Sequence, residues 1–364
     1  MAITLCGIVF LTLLVATLLG VQLYRNWSQF RQVVLDTVPS GANVVFIPVD
    51  QDIGEPVPEK ATAPKKSPVQ QRLLFGDYRV VGYLPDGRFH EVYRHVPRDQ
   101  KELPSIYPHR SWQWNGNQVT LAPVRIPNHF VARDMALVPG GEVTIVPLKV
   151  PSTSENIFPT PDREFVPSFF LDTNEVSCKA FRGDKGELPD FKGCLSEEPN
   201  DDNPVTCISL DQAVAYAEAR GKRLPTEAEF QLAAAYLERE RPRSTAKKVN
   251  VTFSSLTEDS GEVVLVDPQH PIKGLLSNVA EWTVTTAFLP DLRESPGRTM
   301  RGRVVWGATL SILERRPDTS ETGSWGITRL VLHEGSKKPG LGFRCARSVK
   351  PRIAPEDFVR SVKP

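Results

Sequence analysis

The stretch GKRLPTEAEF, residues 221–230, joins two Ala-rich runs through a turn that contains one proline. Thr226 is a good helix N-cap, and Glu229 lies three positions later, where its carboxylate can reach the Thr226 amide in a capping box. Glu227 in the first turn also suits the positive end of the helix dipole. The spacing therefore predicts a helix that begins at Glu227 and follows a first helix in LDQAVAYAEARG. A capped helix start of this kind requires no catalytic role for the stretch.

The length and charge of the chain exclude some classes of protein. With 364 residues, the chain is long enough for two or three domains. Its 44 basic and 43 acidic residues leave a formal net charge of +1, so we expect no nucleic-acid partner. The 32 prolines indicate short elements joined by many turns rather than a helical bundle.

The N-terminal segment, residues 2–24, contains no charged residue. A helix of that length covers a hydrocarbon core of roughly 30 Å. No Lys or Arg precedes the apolar run and no Ala-x-Ala-like site ends it, which favours a single-pass membrane anchor over a cleaved signal peptide. Arg25 and Arg31 follow the span, so the positive-inside rule alone would place the bulk of the chain in the cytoplasm.

After a short polar segment with a helix-like pattern up to Val34, residues 35–97 alternate in the manner of β-strands. This small all-β module resembles a PEGA domain through PSGA (39–42), GEPV (54–57) and GDYRV (76–80). Such domains lie outside the cytoplasm in bacterial envelope proteins, often behind receptor kinases. The resemblance implies an extracytoplasmic body, and it outweighs the two arginines. The Pro-rich residues 98–133 are predicted to be a linker.

A larger domain is predicted at residues 134–350, followed by a tail at 351–364. Its order is short strands, two tandem helices, and then further strands with long loops, which indicates an α+β fold. Six segments of this domain resemble the sulfatase-modifying-factor family and follow in the order seen there. They are MALVPGGEVTI, FFLDTNEVSCKAF, GKRLPTEAEF, GLLSNVAEWT, RVVWGAT and GFRCARS. The resemblance implies the C-type-lectin-like fold of formylglycine-generating enzymes. The residues that match framework positions of the family are Arg223, Thr226, Glu227, Glu229, Trp282, Phe343 and Arg344.

The active members of that family oxidise a substrate cysteine with copper held by two cysteines. Paired thiolates give a soft, low-coordinate site that suits Cu(I). In the family these cysteines follow a Gly-Gly-Ser turn, which corresponds here to residues 307–309, and their positions fall on Ile312 and Pro317. Neither side chain ligates copper, and Cys345 is the only cysteine beyond the turn. We therefore expect no catalytic residue and no copper. A non-haem iron site, as in other branches of the superfamily, lacks its histidine-bearing helical domain.

The resemblance also implies a structural calcium ion. Its ligands would be the Glu281 carboxylate and the carbonyls of Ser277 and Val279, whereas Gly274 stands where the family has Asn or Asp. Because calcium prefers six to eight oxygens, the missing ligand weakens the site. The alternative is that Glu281 pairs with an arginine. A second family site would begin at Asn250.

Three cysteines, Cys178, Cys194 and Cys207, lie close together in the sequence. Two of them could form a disulfide if the domain lies outside the cytoplasm. The alternative is three small buried apolar side chains.

We expect a membrane-anchored envelope protein whose lectin-like domain is a non-catalytic binding or scaffold module for a protein or a glycan. The alternative is an active formylglycine-generating oxidase with an atypical site. A third hypothesis is a partner in a receptor-kinase system, although the chain itself has no kinase motif.

Overall fold

The computed structural model describes residues 29–50, 54–145, 162–183, 194–195, 199–240, 263–264, 267–275, 278–290, 299–307 and 329–361. The predicted anchor at 2–24 lies outside these ranges, as do Asn250, Ser277, Ile312 and Pro317. Within these ranges no helix is both long enough and apolar enough to cross a bilayer.

The first part of the chain, which we call the β module, contains two four-stranded sheets with orders β5-β1-β9-β8 and β4-β3-β6-β7, and a short β10-β2 pair. Its strands are β1 (Phe30–Leu35), β2 (Thr37–Val38), β3 (Asn43–Pro48), β4 (Lys65–Lys66), β5 (Val69–Leu74), β6 (Gly76–Tyr83), β7 (Phe89–Val96), β8 (Trp112–Asn115), β9 (Gln118–Leu121) and β10 (Val124–Arg125). Val33, Phe46, Val80 and Val119 lie in its core.

The β module differs from the sequence prediction at both ends. The described end of the polar segment that was predicted to be helix-like is a strand: Phe30–Leu35 form β1, which pairs antiparallel with β5 and parallel with β9. Residues 98–133, predicted to be a linker, supply β8, β9 and β10, and Trp112, Val119 and Leu121 are buried in the module core. The parallel β1–β9 pairing joins residues more than eighty positions apart, so no local pattern could show it.

The second part of the chain, which we call the α/β part, is also mostly β, with few helices. Its strands are β11 (Met135–Val138), β12 (Gly141–Ile145), β13 (Asp162–Val166), β14 (Phe169–Asp172), β15 (Val263–Val264), β16 (Ile272–Lys273), β17 (Ala280–Pro290), β18 (Thr299–Trp306), β19 (Arg329–Leu332), β20 (Leu341–Gly342), β21 (Ala346–Ser348) and β22 (Arg360–Ser361). Its helices are α1 (Cys178–Arg182), α2 (Leu210–Ala219) and α3 (Glu227–Glu240). The sheet orders are β11-β14-β21, β12-β13-β22, β15-β16 and β19-β18-β17-β20.

The sheet that contains β18 is covered on both faces. Successive strand residues point to opposite sides of a sheet. Accordingly, Val304 and Trp306 pack with Phe230 of α3 in one core, whereas Val305 packs with Trp282 in the other. The two tandem helices therefore hold this sheet from opposite sides.

The C-terminal segment, predicted to be a tail, is structured as far as residue 361. β22 pairs with β13, and a 3₁₀ turn at Pro355–Asp357 precedes Phe358. Phe358 is buried against Val45, Ile47 and Val81 of the β module. The segment thus packs against both parts of the molecule.

Candidate functional site

Helix α3 begins at the predicted residue, and both hydrogen bonds of its capping box are present. The Glu229 N–H donates to the Thr226 hydroxyl at 3.2 Å, and the Thr226 N–H donates to the Glu229 carboxylate at 3.0 Å. The same carboxylate accepts two hydrogen bonds from the Arg223 guanidinium, at 2.6 and 2.7 Å. Glu229 is fully buried, so its charge is compensated by these donors rather than by water.

This pair belongs to a buried network that joins three parts of the chain. Glu91 of β7 accepts from Arg79 at 2.6 Å, and the Arg223 Nε lies 3.4 Å from the Glu91 carboxylate. Arg352 of the C-terminal segment donates to Glu229 at 2.8 Å. We call these five residues the interface ion network. It ties the GKRLPTEAEF motif to the β module and to the segment beyond residue 350.

The protonation states in the network follow from its charges. Burial alone would raise the pKa of Glu91, but Arg79, Arg223 and Arg352 outweigh burial and lower it to about 2. Burial alone would also raise the pKa of Glu229, but Arg223 and Arg352 outweigh burial and lower that pKa below its usual range. Both carboxylates are therefore charged at neutral pH. Neither is poised for proton transfer, and the network acts as a structural tie.

Glu55 is a carboxyl group whose pKa is raised rather than lowered. Burial, followed by the neighbouring charge of Glu164, raises its pKa to about 7, although Arg79 opposes this. The Thr285 hydroxyl donates to Glu55 at 3.4 Å. The preceding Gly54 has φ +74°, and a Cβ atom there would lie only 2.0 Å from the Thr286 Oγ1. The GEPV segment of the β module is therefore pressed directly onto β17, which explains why glycine occupies position 54.

Three further contacts between polar side chains, two of them ion pairs of arginine with glutamate, cross between the two parts of the chain. The Arg94 guanidinium, which is fully buried, donates to both carboxylate oxygens of one glutamate, a geometry that fixes orientation as well as distance. The pairs are Arg94–Glu218 at 2.7 Å, His109–Asp211 at 2.9 Å and Arg110–Glu334 at 2.8 Å.

Glu281, the candidate calcium ligand, is held by an arginine. Arg344 donates three hydrogen bonds to the Glu281 carboxylate, at 2.7, 2.8 and 2.9 Å, and both side chains are fully buried. Burial lowers the pKa of Arg344, but Glu281 and then Glu175 outweigh it and raise that pKa, so the guanidinium stays charged. The Glu281 oxygens therefore face the Arg344 guanidinium. This is the arginine pairing that the sequence analysis gave as the alternative to calcium.

Of the groups proposed to hold calcium, the Glu281 carboxylate is hydrogen-bonded to Arg344 in the structure. Among the residues that the structure describes, no group of three or more His, Cys, Asp or Glu side chains could hold a metal ion. Val279 is buried beside Ala280. Ser277 and Asn250 lie outside the described ranges.

Copper does not fit Cys345 either. The side chain is fully buried, and burial together with Asp172 raises the pKa of its thiol well above the usual value. Copper binding requires a thiolate. The Cys345 N–H donates to the Asp172 carboxylate at 2.9 Å, so this residue serves the core. Ile312 and Pro317, the family's cysteine positions, lie outside the described residues.

The remaining framework residues also make packing contacts. The Trp282 indole N–H donates to the Ile208 carbonyl at 2.7 Å. Phe343 meets Tyr216 edge to face, with ring centroids 5.4 Å apart. The Glu227 carboxylate accepts from the Trp306 indole at 3.3 Å. Each contact joins a helix, or the loop before it, to a strand or to the segment between β20 and β21.

Among the three neighbouring cysteines, Cys194 and Cys207 form a disulfide. Cys178 lies outside this bond, at the start of α1, where it is fully buried with its thiol 3.8 Å from the Pro204 carbonyl.

Sequence reasoning missed Arg79, Glu91 and Arg352. Arg79 lies in DYRVV, and Glu91 lies in HEVYR, inside strands whose neighbouring residues are apolar. A charged residue between buried strand positions was the one local signal that could have pointed to the network. Their partners lie on other parts of the chain, so the signal could not identify what they bind.

A polar groove opens on the α/β part, with a volume of about 710 Å³. It is lined by carboxylates, amides, a hydroxyl and one aromatic ring, from Asp134, Thr173, Asn174, Asp202, Tyr216 and Asn278. Arg220, Lys222 and Lys273 also line the groove, so it presents charges of both signs beside its neutral hydrogen-bonding groups.

The chain was compared with known proteins. The family model described as "Sulfatase-modifying factor enzyme 1-like domain" matches residues 124–349. No curated protein gives a significant match. Solved structures that match include "Treponema denticola variable protein 1", with 18% identity and a TM-score of 0.37, covering 58% of this chain and 94% of that one. Another is "Crystal Structure of CarF", with 16% identity and a TM-score of 0.33, covering 60% of this chain and 99% of that one.

Neither structural likeness is close enough to bear on function. The family model, in contrast, spans more than half of the chain and includes the capped motif, Glu281 and Arg344. The chain therefore belongs to the sulfatase-modifying factor enzyme 1-like domain family.

Proposed function

We propose that this chain is a membrane-anchored protein whose family domain is a non-catalytic binding or scaffold module. One observation carries the proposal: Cys345, the only cysteine beyond Gly307, is a buried thiol with a raised pKa. Family oxidation needs two thiolates on copper, and the matching positions are Ile312 and Pro317. The chain offers no replacement pair in that region.

The polar groove is the proposed binding site. Its carboxylates and amides suit the hydroxyl and amide groups of a glycan or an extended peptide, and Tyr216 offers an aromatic surface. The groove lies on elements that the disulfide-bonded region and α2 support, so its walls are built before a ligand arrives.

Three features together support the proposed extracytoplasmic location. The apolar segment 2–24 would act as the anchor, and the β module resembles an envelope domain in its PSGA and GEPV segments. The Cys194–Cys207 disulfide supports the same side of the membrane, because disulfides persist in oxidising compartments.

The test of the non-catalytic role uses the full chain, supplied with Cu(I) under reducing conditions and then with a cysteine-containing peptide. We expect no stoichiometric copper and no aldehyde product, while a catalytically active family member run in parallel gives both. Stoichiometric copper together with aldehyde would establish the alternative, an oxidase with an atypical site.

The binding role is tested by calorimetric titration of the full chain with soluble envelope polysaccharide fragments and with peptides. Asn174→Ala and Asp202→Ala should weaken binding, whereas Glu59→Gln on the β module should leave it unchanged. Equal binding by all three variants would remove the groove from the proposal. An enzymatic reporter active only outside the cytoplasm, fused after Pro364, tests the location.

A further inference from the structure

Exposed apolar side chains collect at the end of the β module where β1 begins. Leu103 is 85% exposed and Ile106 is 89% exposed, and both lie in the loop between β7 and β8. Phe30 and Leu74, at 39% and 44%, face each other across β1 and β5. We call these four residues and their loop the tether end. An apolar cluster of this kind usually marks a contact surface.

The loop and the two strands lie at the same end of the module. The Phe75 N–H donates to the Gln29 carbonyl at 3.2 Å, which places the beginning of β1 beside the end of β5. Gln100 of the loop donates to the Gly116 carbonyl at 3.0 Å, in the turn before β9. β9 runs parallel to β1, so this turn is next to the beginning of β1. A groove of about 770 Å³ is lined by both Phe75 and Leu103.

Basic side chains accompany the apolar ones. The Arg98 guanidinium lies 4.7 Å from the centre of the Phe75 ring, and the Arg72 guanidinium lies 5.3 Å from the Phe30 ring. Lys101 is exposed on the same loop, which also carries the acidic Asp99 and Glu102. Aromatic rings with arginines above them suit a water–lipid boundary, where the apolar parts enter and the charges stay at the headgroups.

The segment of the chain before β1 indicates what the tether end faces. The uncharged run ends at Tyr24, five positions before Gln29. Five residues of extended chain span at most about 18 Å. If residues 2–24 cross the bilayer, the beginning of β1 stays within that distance of the membrane. The other end of the six-residue β1 can lie up to about 20 Å further from it. The tether therefore keeps the apolar end at a high effective concentration next to lipid.

We infer that the tether end rests on the phospholipid surface, with Leu103 and Ile106 in the interface and the basic side chains at the headgroups. This inference rests on the anchor in the proposed function. It adds a second contact to the anchor, which orients the body of the protein so that the polar groove stands at a defined angle to the membrane.

The experiment places a bimane label at Leu103→Cys or Ile106→Cys in the full chain, in a Cys6→Ser background. The matched control is Val38→Cys, which is 45% exposed and lies beyond the opposite end of β1. The chain is reconstituted into vesicles of phosphatidylcholine and phosphatidylglycerol, with and without brominated acyl chains. We expect bromine to quench the label at 103 and 106 at least about threefold more than at 38, because only those positions reach the interface.

An alkaline carbonate wash separates the two proposals. If the chain stays in the vesicles but quenching is equal at all three positions, the anchor holds and the surface contact is wrong. If the wash releases the chain although quenching before the wash was concentrated at 103 and 106, the surface contact stands and the anchor is wrong. Release together with equal quenching would overturn both. Circular dichroism of each labelled chain confirms that these exposed substitutions leave the fold intact.

Discussion

At the scale of single residues, Glu229 shows how one side chain serves local and long-range structure at once. Its carboxylate closes the capping box of α3 and also accepts hydrogen bonds from Arg223 and Arg352. The local role could be inferred from the Thr-x-x-Glu spacing. The long-range role depends on a buried charge that water cannot reach.

Arg223→Met tests the interface ion network. Removing this guanidinium takes away two hydrogen bonds to the buried Glu229 carboxylate and the contact with Glu91, and breaking a buried ion pair is costly. We therefore expect the free energy of unfolding to fall by about 3–5 kcal/mol. Urea unfolding followed by circular dichroism measures it. The control is Arg163→Met, whose guanidinium is 62% exposed and pairs with Glu142; there we expect a change under about 1 kcal/mol. Equal losses in both variants would contradict the role assigned to the network.

Glu55 and Glu91 predict opposite responses to pH. Burial raises the pKa of Glu55 from 4.5 to about 7, so the stability it contributes is complete below its unfolded value and is lost as pH rises through about 7. The arginines lower the pKa of Glu91 to about 2, so its contribution is present above 4.5 and is lost as pH falls towards 2. Glu55→Gln should therefore flatten the decline in stability between pH 4.5 and 7.

Urea midpoints at a series of pH values, compared between the wild type and Glu55→Gln, measure this difference. Glu59→Gln is the control, because Glu59 is exposed on the nearby 3₁₀ turn Pro58–Lys60. This variant should keep the wild-type profile. An unchanged profile in Glu55→Gln would show that Glu55 is not the titrating group.

At the scale of elements, both long helices begin with the same device. Ser209 and Gln212 form a capping box at α2, as Thr226 and Glu229 do at α3. Capping satisfies backbone N–H groups that have no partner within the helix. Each helix can then start at a fixed residue in a chain whose connecting segments are long.

Ser209→Ala removes the acceptor for the Gln212 N–H, so we expect a loss of about 1 kcal/mol in the free energy of unfolding. Ser209→Thr keeps the hydroxyl and should lose clearly less. Thermal or urea unfolding of both variants decides between a capping role and simple loss of volume. The capping account would be wrong if the threonine variant were as destabilised as the alanine variant.

The Cys194–Cys207 disulfide closes a loop of sequence separation 13. Such a loop is worth about 3 kcal/mol through the restricted unfolded chain, and we expect Cys194→Ser to lose that amount. Reductant should lower the stability of the wild type to the same value and leave the variant unaffected. Thiol titration of the denatured, unreduced chain should find at most three of the five cysteines.

At the scale of the whole molecule, the β module and the α/β part are joined by buried charge rather than by a flexible linker. Arg94, Arg79 and Glu91 are buried in contact with groups of the other part. Arg347 of β21 donates to the Phe89 carbonyl at 2.9 Å and also to the Gly221 carbonyl. Burial of this kind makes each part depend on the other for its stability.

A chain restricted to residues 134–364 should therefore not fold as the full chain does. We expect it to lose cooperative unfolding and to bind a hydrophobic dye, because its buried contacts with the β module are lost. These contacts are Glu218 with Arg94, Arg223 with Glu91, and Arg347 with the Phe89 carbonyl. Calorimetry and near-ultraviolet circular dichroism measure this. Cooperative unfolding of the shortened chain at the full chain's midpoint would show that the two parts are independent.

Much of the family domain was predictable because its signals are local or follow one another in a consistent order. The start of α3 and the tandem helices could be placed from short motifs. The extent of the β module could not, because β1 finds its parallel partner in β9, which lies seven strands and a Pro-rich loop further along the chain. The pairing of Glu281 with Arg344 was one of two alternatives, and only their approach to 2.7 Å decided between them.

The sequence by itself determined the helix starts, the family and the residues at the cysteine positions, since each depends on residue identity or on spacing within one turn or one strand. Only the tertiary structure decided that Cys194 pairs with Cys207 and that residues 98–125 belong to the β module. It also decided that the GKRLPTEAEF motif contacts Glu91 through Arg223 and Arg352 through Glu229. The physical reason is the same in each case. A buried charge, thiol or strand edge needs a partner, and the partner is chosen by proximity in the folded chain rather than by position along it.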